Sequence, residues 1–399
     1  MGQRSMAMVF SGLLFLGVYF CGFFLSAGKP LWLDEHHSMT RSIAGVSYGQ
    51  ILQGRLDWEG NNAPLFYLLQ KSVCDLVAYD PGVLVPVSPS QGMLFYGDPF
   101  SNVFLRLIPL FFMALAPAIL FYYFSRRYSW VWGGFSALLC LSSWLLWWYG
   151  LEARPYIHFL TLSLLQVVAF LEVARSRDAD GRLWWGLGVV NVLLALTVTA
   201  SILQVALIAV WFAGFSRRSL NTCKIIFVFL LPALIAAYYY AVALKGRSWF
   251  SVPIYKYYLS NVPWHILAVS AAFFVYAGLS WSWGHKRIFP FLQWMSRDEI
   301  KKVWPAVFFF VSLSAVYFLA LAFFKMRELP VAEGGAPFAN RHLINFVPVG
   351  IIAMTIFSRA LFQSFKDVQT RGFFTALLVA LLAWRFIYTY FYVHSWINI

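Results

Sequence analysis

Charged residues are scarce in this chain: only 12% of its 399 residues are Asp, Glu, Lys or Arg, and acidic residues number 16 against 30 basic ones. A soluble domain carries roughly 25% charge, and the 61% hydrophobic content and mean hydropathy of +0.69 lie equally far from that class. Cysteine is also rare. Cys21, Cys140 and Cys223 fall in or beside apolar runs and Cys74 stands alone, so neither a disulfide framework nor a cysteine metal site can be assembled. The sequence also lacks a soluble domain, an internal repeat and a low-complexity tract. The net charge of +14 does not indicate nucleic acid, because the basic residues sit in short loops between apolar runs instead of on one solvated face.

What the chain has in abundance is long apolar segments. About twenty apolar residues cross a bilayer as a helix. Candidate spans run over 6–27, 101–124, 130–149, 155–174, 183–198, 200–215, 225–244, 262–282, 304–324, 343–361 and 373–393, giving an all-α polytopic membrane protein with about eleven transmembrane helices. The first apolar run exceeds the 7–15 residues of a signal-peptide core, so it reads as a retained helix. The stretch 183–215 can be one long helix or two short ones. Two keep more than half of the Lys and Arg on the side of the N-terminus, as the positive-inside rule requires. The 18 Trp, 21 Tyr and 40 Phe suit aromatic belts at both interfaces.

Three polar segments then face the non-cytoplasmic side: a long first loop from about Gly28 to Pro99, and shorter ones at 245–263 and 325–342. In the first, Ser42–Leu56 and Ala63–Val77 have helical spacing and can lie along the interface. No soluble C-terminal domain is expected after the last span. One transmembrane domain, 1–399, is therefore expected.

Four groups of residues on that side can carry chemistry. Leu33-Asp34-Glu35-His36-His37 follows the first span; its carboxylates are costly at a membrane surface unless solvated, paired or used. Either is a solvated loop start or a general base for an attacking hydroxyl. A divalent metal on the carboxylates and His36 or His37 is a further option, although adjacent histidines rarely share an ion. Asn61-Asn62-Ala63-Pro64-Leu65-Phe66-Tyr67 is a turn feeding a helix. Glu152, Arg154 and Tyr156 close the third span: a local ion pair, or a cation for a lipid phosphate, since the planar guanidinium binds two oxygens. Arg341 and His342 precede the tenth span, and Lys245 and Arg247 follow the seventh, as boundary markers or further phosphate ligands. Arg385 falls inside the last span and must snorkel or find a partner.

In order and spacing these segments resemble the GT-C glycosyltransferases, in the branch of protein O-mannosyltransferases and aminoarabinose transferases. The matching stretches are Leu33-Asp34-Glu35, then Ala63-Pro64-Leu65-Phe66-Tyr67-Leu68-Leu69, then Leu105-Arg106-Leu107 through Arg126-Arg127, and Trp148-Tyr149-Gly150-Leu151-Glu152-Ala153-Arg154-Pro155-Tyr156. A later segment, Arg341-His342-Leu343-Ile344 with Pro348, is a looser match, and 183–399 agree mainly in hydropathy. The resemblance implies inverting transfer of a sugar from a polyprenyl-phosphate donor to a lipid, glycan or small-molecule acceptor outside the cytoplasm. It implies Asp34 as catalytic base with Glu35 beside it, and Arg154 at the donor phosphate with Arg341, Lys245 and Arg247. His36, His37, Asn62, Tyr67, Glu152, Tyr156 and His342 are then expected to line the substrate site. The compact chain fits a bacterial inner membrane, or an endoplasmic reticulum membrane if eukaryotic. A lipid-linked sugar transporter or a polysaccharide polymerase or ligase is the competing reading. No nucleic-acid partner is expected.

Overall fold

A computed structural model describes residues 3–54, 56, 63–84, 94–95, 99–176, 181–214, 221–245, 304–309, 311–313 and 344–397. Asn62, Arg247, Arg341 and His342 lie outside the described residues, as do most of the second and third outer loops. The architecture is an all-α membrane bundle. Six described helices are long and apolar enough to cross a bilayer, and a broken pair raises that to seven.

Helix α1 (Gln3–Gly28) is followed by a two-residue strand β1 (Leu31–Trp32) and by α2 (Leu33–Ser42). The first loop continues through α3 (Tyr48–Leu52) and α4 (Leu65–Leu76), and β1 pairs antiparallel with β2 (Leu94–Phe95). A short α5 (Pro99–Phe104) leads into α6 (Leu107–Arg127). The third span is α7 (Trp130–Leu141) and α8 (Trp144–Gly150), bent by 61° at Ser142-Ser143. Next come α9 (Tyr156–Arg175), α10 (Gly181–Ala195) and α11 (Ile202–Gly214), the last two parted by a 3₁₀ turn at Thr199–Ser201. The following span joins α12 (Thr222–Ile225) through a π-helical turn, Ile226–Leu230, to α13 (Leu231–Lys245). Helices α14 (Phe346–Ser364) and α15 (Val368–Ile397) close the chain.

Helix α9 is the axis of the bundle. Apolar on every side, it has no preferred lipid face and is buried over most of its length, whereas α1 and α15 present mainly exposed apolar side chains. Some of its polar groups are paired inside the bundle, whereas His158 packs its ring against Phe66 and Phe112 with neither ring nitrogen hydrogen-bonded among the described residues. Gln166 Nε2 donates to Asn191 Oδ1 at 2.7 Å, and Asn191 Nδ2 donates to the Val228 carbonyl at 2.8 Å. Val228 lies in the π turn, where the widened spiral disturbs the regular i→i−4 ladder; the asparagine satisfies a carbonyl there.

Helices α6 and α7 approach so closely that a Cβ on Gly133 would lie 2.0 Å from Ser125 Oγ and 2.8 Å from the Phe121 carbonyl. A backbone atom cannot swing aside, so small residues set this crossing. Gly133→Ala is expected to cost about 1–3 kcal/mol by overpacking. A thermal melt of purified protein in detergent, compared with Gly134→Ala, where the Cβ meets nothing within 4 Å, checks it.

The first loop is not a mere tether. It builds a second core of Leu31, Met39, Ile43, Ile51, Phe66, Tyr67, Cys74 and Leu84, closed by Phe104, Leu105 and Ala153. The helical stretch expected over Ser42–Leu56 shrinks to α3, because α2 already ends at Ser42 and Gly45 and Gly54 turn the chain with φ of +68° and +72°. The cap is fastened to the bundle through main-chain bonds. Ala63 N donates to the Thr197 carbonyl at 3.0 Å and Leu65 N to the Leu196 carbonyl at 2.8 Å. Tyr239 of α13 also donates to the Leu52 carbonyl at 2.8 Å.

Candidate active site at the capped end of the bundle

Leu33-Asp34-Glu35 forms the first turn of α2, where carboxylates suit the positive end of the helix dipole. Glu35 turns inward. Its Oε1 accepts from Arg106 Nε at 3.0 Å and from Ala153 N at 2.7 Å, and its Oε2 accepts from Arg106 Nη2 at 2.9 Å and from Trp32 N at 3.1 Å. Glu35 and Arg106 are both fully buried. The rest of the Arg106 fork donates to the carbonyls of Ser26, Lys29 and Pro30. Burial alone would raise the Glu35 carboxyl, but Arg106, then Lys29, hold it below its usual range.

The sequence suggests Glu35 as a second catalytic carboxylate; the structure gives it a different task. Each oxygen already accepts two hydrogen bonds, so no lone pair is left for a substrate proton. Glu35 is a clamp that fixes the end of α1, the start of α2, the N-terminal end of α6 and the Ala153 turn against one another. Arg106 was legible as part of a motif but not as a site residue. The available signal was its place: an arginine at the outer end of a span, where topology asks for none.

Arg154 leaves the same turn and reaches α2. Its Nη1 donates to the Asp34 carbonyl at 3.1 Å and to the Ser38 hydroxyl, and its Nη2 donates to the Tyr156 hydroxyl at 3.1 Å. Its guanidinium also lies over the Tyr156 ring, 5.4 Å from the centroid. Four expected site residues, Asp34, Glu35, Arg154 and Tyr156, thus share one corner, although Asp34 and Arg154 are 120 residues apart. Asp34 is partly exposed, unlike its neighbour.

Glu152 and Lys29 complete the corner. Lys29 Nζ donates to the Leu151 carbonyl at 3.0 Å and sits 5.8 Å from the Trp148 ring centroid; burial lowers its pKa, opposed by Glu152 and Glu35. Glu152 is buried, and its Oε2 has no hydrogen-bond partner among the described residues. Burial pushes its carboxyl up to about 7, against the pull of Lys29 and with the push of Glu35. A carboxyl raised above its unfolded value binds its proton more tightly in the fold, so folding stability falls as pH rises from the unfolded pKa towards 7. From pH 5 to pH 8 the native protein is expected to lose about 1–3 kcal/mol through this group. Glu152→Gln should flatten the curve, as read from melting temperatures across that range.

Other expected residues divide. His36 on α2 is half-buried with Nε2 3.4 Å from the Leu84 carbonyl, and burial lowers its pKa. His37 packs its ring edge-on to His36 at 5.9 Å. Tyr67, expected at the substrate, is instead fully buried in the second core beside Phe66, because its position on α4 faces inward. Lys245 ends α13, beyond the Tyr239 that touches the cap. Arg385 does find a partner: Nε donates to Ser142 Oγ at 3.1 Å. Among the described residues no group of three or more His, Cys, Asp or Glu side chains converges to hold a metal ion.

No protein-family model matches the sequence, and no curated protein matches it. Among solved structures, two of one protein illustrate what the chain is similar to. ArnT from Cupriavidus metallidurans in the apo state is 14% identical over 89% of this chain and 60% of that one, with a TM-score of 0.47. The same protein bound to undecaprenyl phosphate is 15% identical over 88% and 61% of the two chains, with a TM-score of 0.49. The chain thus spans about three fifths of the length of these structures.

Proposed function

We propose that the protein is a membrane glycosyltransferase that moves a sugar from a polyprenyl-phosphate donor to a lipid, glycan or small-molecule acceptor on the non-cytoplasmic side. One observation carries this reading: the Arg154 guanidinium rests on the first turn of α2, beside the Asp34 main chain. A general base and an anion-binding fork then serve one reacting centre. Asp34 takes the proton of the acceptor hydroxyl as its oxygen attacks the anomeric carbon. The bond from that carbon to the phosphate oxygen breaks, the configuration inverts, and polyprenyl phosphate leaves with one more negative charge. Arg154, held in place by Ser38 and Tyr156, stabilises that growing charge. Undecaprenyl phosphate, the ligand of one ArnT structure, belongs to the carrier class proposed here. Lys245, Arg247 and Arg341 are proposed as additional phosphate ligands, with His36, His37, Asn62 and His342 near the sugar or acceptor.

The competing transporter reading asks for charged groups along a path near the bilayer midplane. Two pairs of described mid-bundle polar groups, Gln166–Asn191 and Ser163–Gln204, are neutral and hydrogen-bonded to each other, which favours chemistry at one end. The test uses purified protein in lipid nanodiscs with a panel of radiolabelled polyprenyl-phosphate sugars and lipid or glycan acceptors. Label reaching an acceptor supports the proposal. Saturable donor binding without transfer to any acceptor would favour a carrier.

A further inference from the structure

A cavity of about 860 Å³ opens between the broken third span, α14 and α15, away from the Asp34 corner. That volume is within the ~300–1,000 Å³ of small-molecule sites. Its walls are apolar, including Leu145, Ile351, Met354, Phe357 and Trp384, and its polar end is formed by Arg385 with Ser142 and Ser143.

The polar end has a physical origin. The 61° break between α7 and α8 frees the Ser142 carbonyl, which accepts from Thr389 Oγ1 at 2.8 Å; Ser142 Oγ accepts from Arg385 Nε at 3.1 Å. These acceptors are neutral and leave most of the five guanidinium N–H donors unused. No carboxylate among the described residues pairs with Arg385, whose described partners are the neutral hydroxyl and carbonyl of Ser142. An uncompensated cation inside a span is expensive.

The depth of Arg385 along the helix is informative. It lies fourteen residues after Arg371, about 21 Å at the helical rise. No charged residue intervenes. It also begins the belt of Trp384, Tyr388, Tyr390 and Tyr392, the residue types that mark a membrane interface. Against a hydrocarbon core of about 30 Å the guanidinium therefore lies roughly 9 Å short of the far interface, within snorkelling reach of the headgroups, with an apolar groove beside it.

We propose that this groove holds an anionic glycerophospholipid, its phosphate on the Arg385 fork and its acyl chains along the wall. The charge complementarity is specific: a phosphate diester supplies two oxygens to a planar fork whose remaining donors face a low-dielectric space. The site is distinct from the proposed reaction centre and does not depend on its chemistry. It is coupled to it mechanically, since Trp144 and Trp148 of α8 both pack on Tyr392 of α15, and α8 leads directly into Glu152 and Arg154.

Native mass spectrometry of the full chain in detergent, titrated with phosphatidylglycerol or phosphatidylcholine, tests the site. The native protein should retain one phosphatidylglycerol in preference to phosphatidylcholine, and Arg385→Lys, which keeps the charge but not the fork, should retain it less tightly. Retention should be about fivefold weaker in Arg385→Gln, the effect of one surface cation on an anionic lipid. Met354→Trp fills the groove while leaving the arginine untouched and should also release the lipid; it decides the matter if Arg385→Gln fails to fold. Equal retention by native protein, Arg385→Gln and Met354→Trp would overturn the proposal. Displacement of the phospholipid by undecaprenyl phosphate would also overturn it, and assign the groove to the donor.

Discussion

Arg106→Leu is expected to cost about 3–5 kcal/mol, enough to remove most folded protein from a detergent extract. The reason lies in what remains. Glu35 would stay fully buried with its charge, losing both bonds to the fork, while the carbonyls of Ser26, Lys29 and Pro30 would lose their donor. Truncating one partner of a buried pair leaves an uncompensated charge, which costs far more than the pair contributes when intact. Glu35→Gln should also be costly: its amide oxygen can still accept from Arg106 Nε and Ala153 N, but its amide nitrogen cannot accept from Arg106 Nη2 or Trp32 N, and the Arg106 charge loses its counterion. The double variant should be less damaged than the sum of the two single ones, because the orphaned carboxylate is gone. Thermal unfolding in detergent, with monodisperse elution as a second readout, measures this. A loss below about 1 kcal/mol for Arg106→Leu would mean that the clamp does not hold the cap to the bundle.

Asp34→Asn is expected to lower the transfer rate by about 10²–10⁴-fold with little change in folding or donor affinity. The substitution keeps the size of the side chain and leaves the Asp34 carbonyl that accepts from Arg154. It removes the lone pair that takes the acceptor proton, so kcat should fall while the donor KM stays nearly constant. Arg154→Lys should act differently. It retains the charge but cannot bond the Asp34 carbonyl, Ser38 and Tyr156 at once, so donor affinity and rate should fall together. Transfer by Asp34→Asn within threefold of the native rate would place the base elsewhere. In that case the raised, buried Glu152 carboxyl is the next group to substitute.

Much of the architecture was legible because the bilayer simplifies the code. Apolar runs near twenty residues mark spans regardless of what packs beside them, and the described helices follow the expected segments at α1, α6, α9, α14 and α15. Local chemistry also located boundaries: Pro64 and Pro155 directly precede α4 and α9, positions that a residue without a backbone donor tolerates. Spans expected at 262–282 and over most of 304–324 lie outside the described residues. The pairing of Asp34 with Arg154 entered through motif resemblance, since no periodicity links residues so far apart.

The sequence by itself therefore determined the solvent: a multi-span chain in lipid, with a cluster of unneeded charges after the first, third and seventh spans. Tertiary structure alone decided what each charge does. Adjacent carboxylates met opposite fates because successive side chains of a helix diverge, so Asp34 stays partly exposed while Glu35 turns into the arginine fork. Tyr67, one position along a recognisable motif, went to a core for the same reason. Burial and contacts across 71 to 120 residues set these roles, and both arise only when the chain closes on itself.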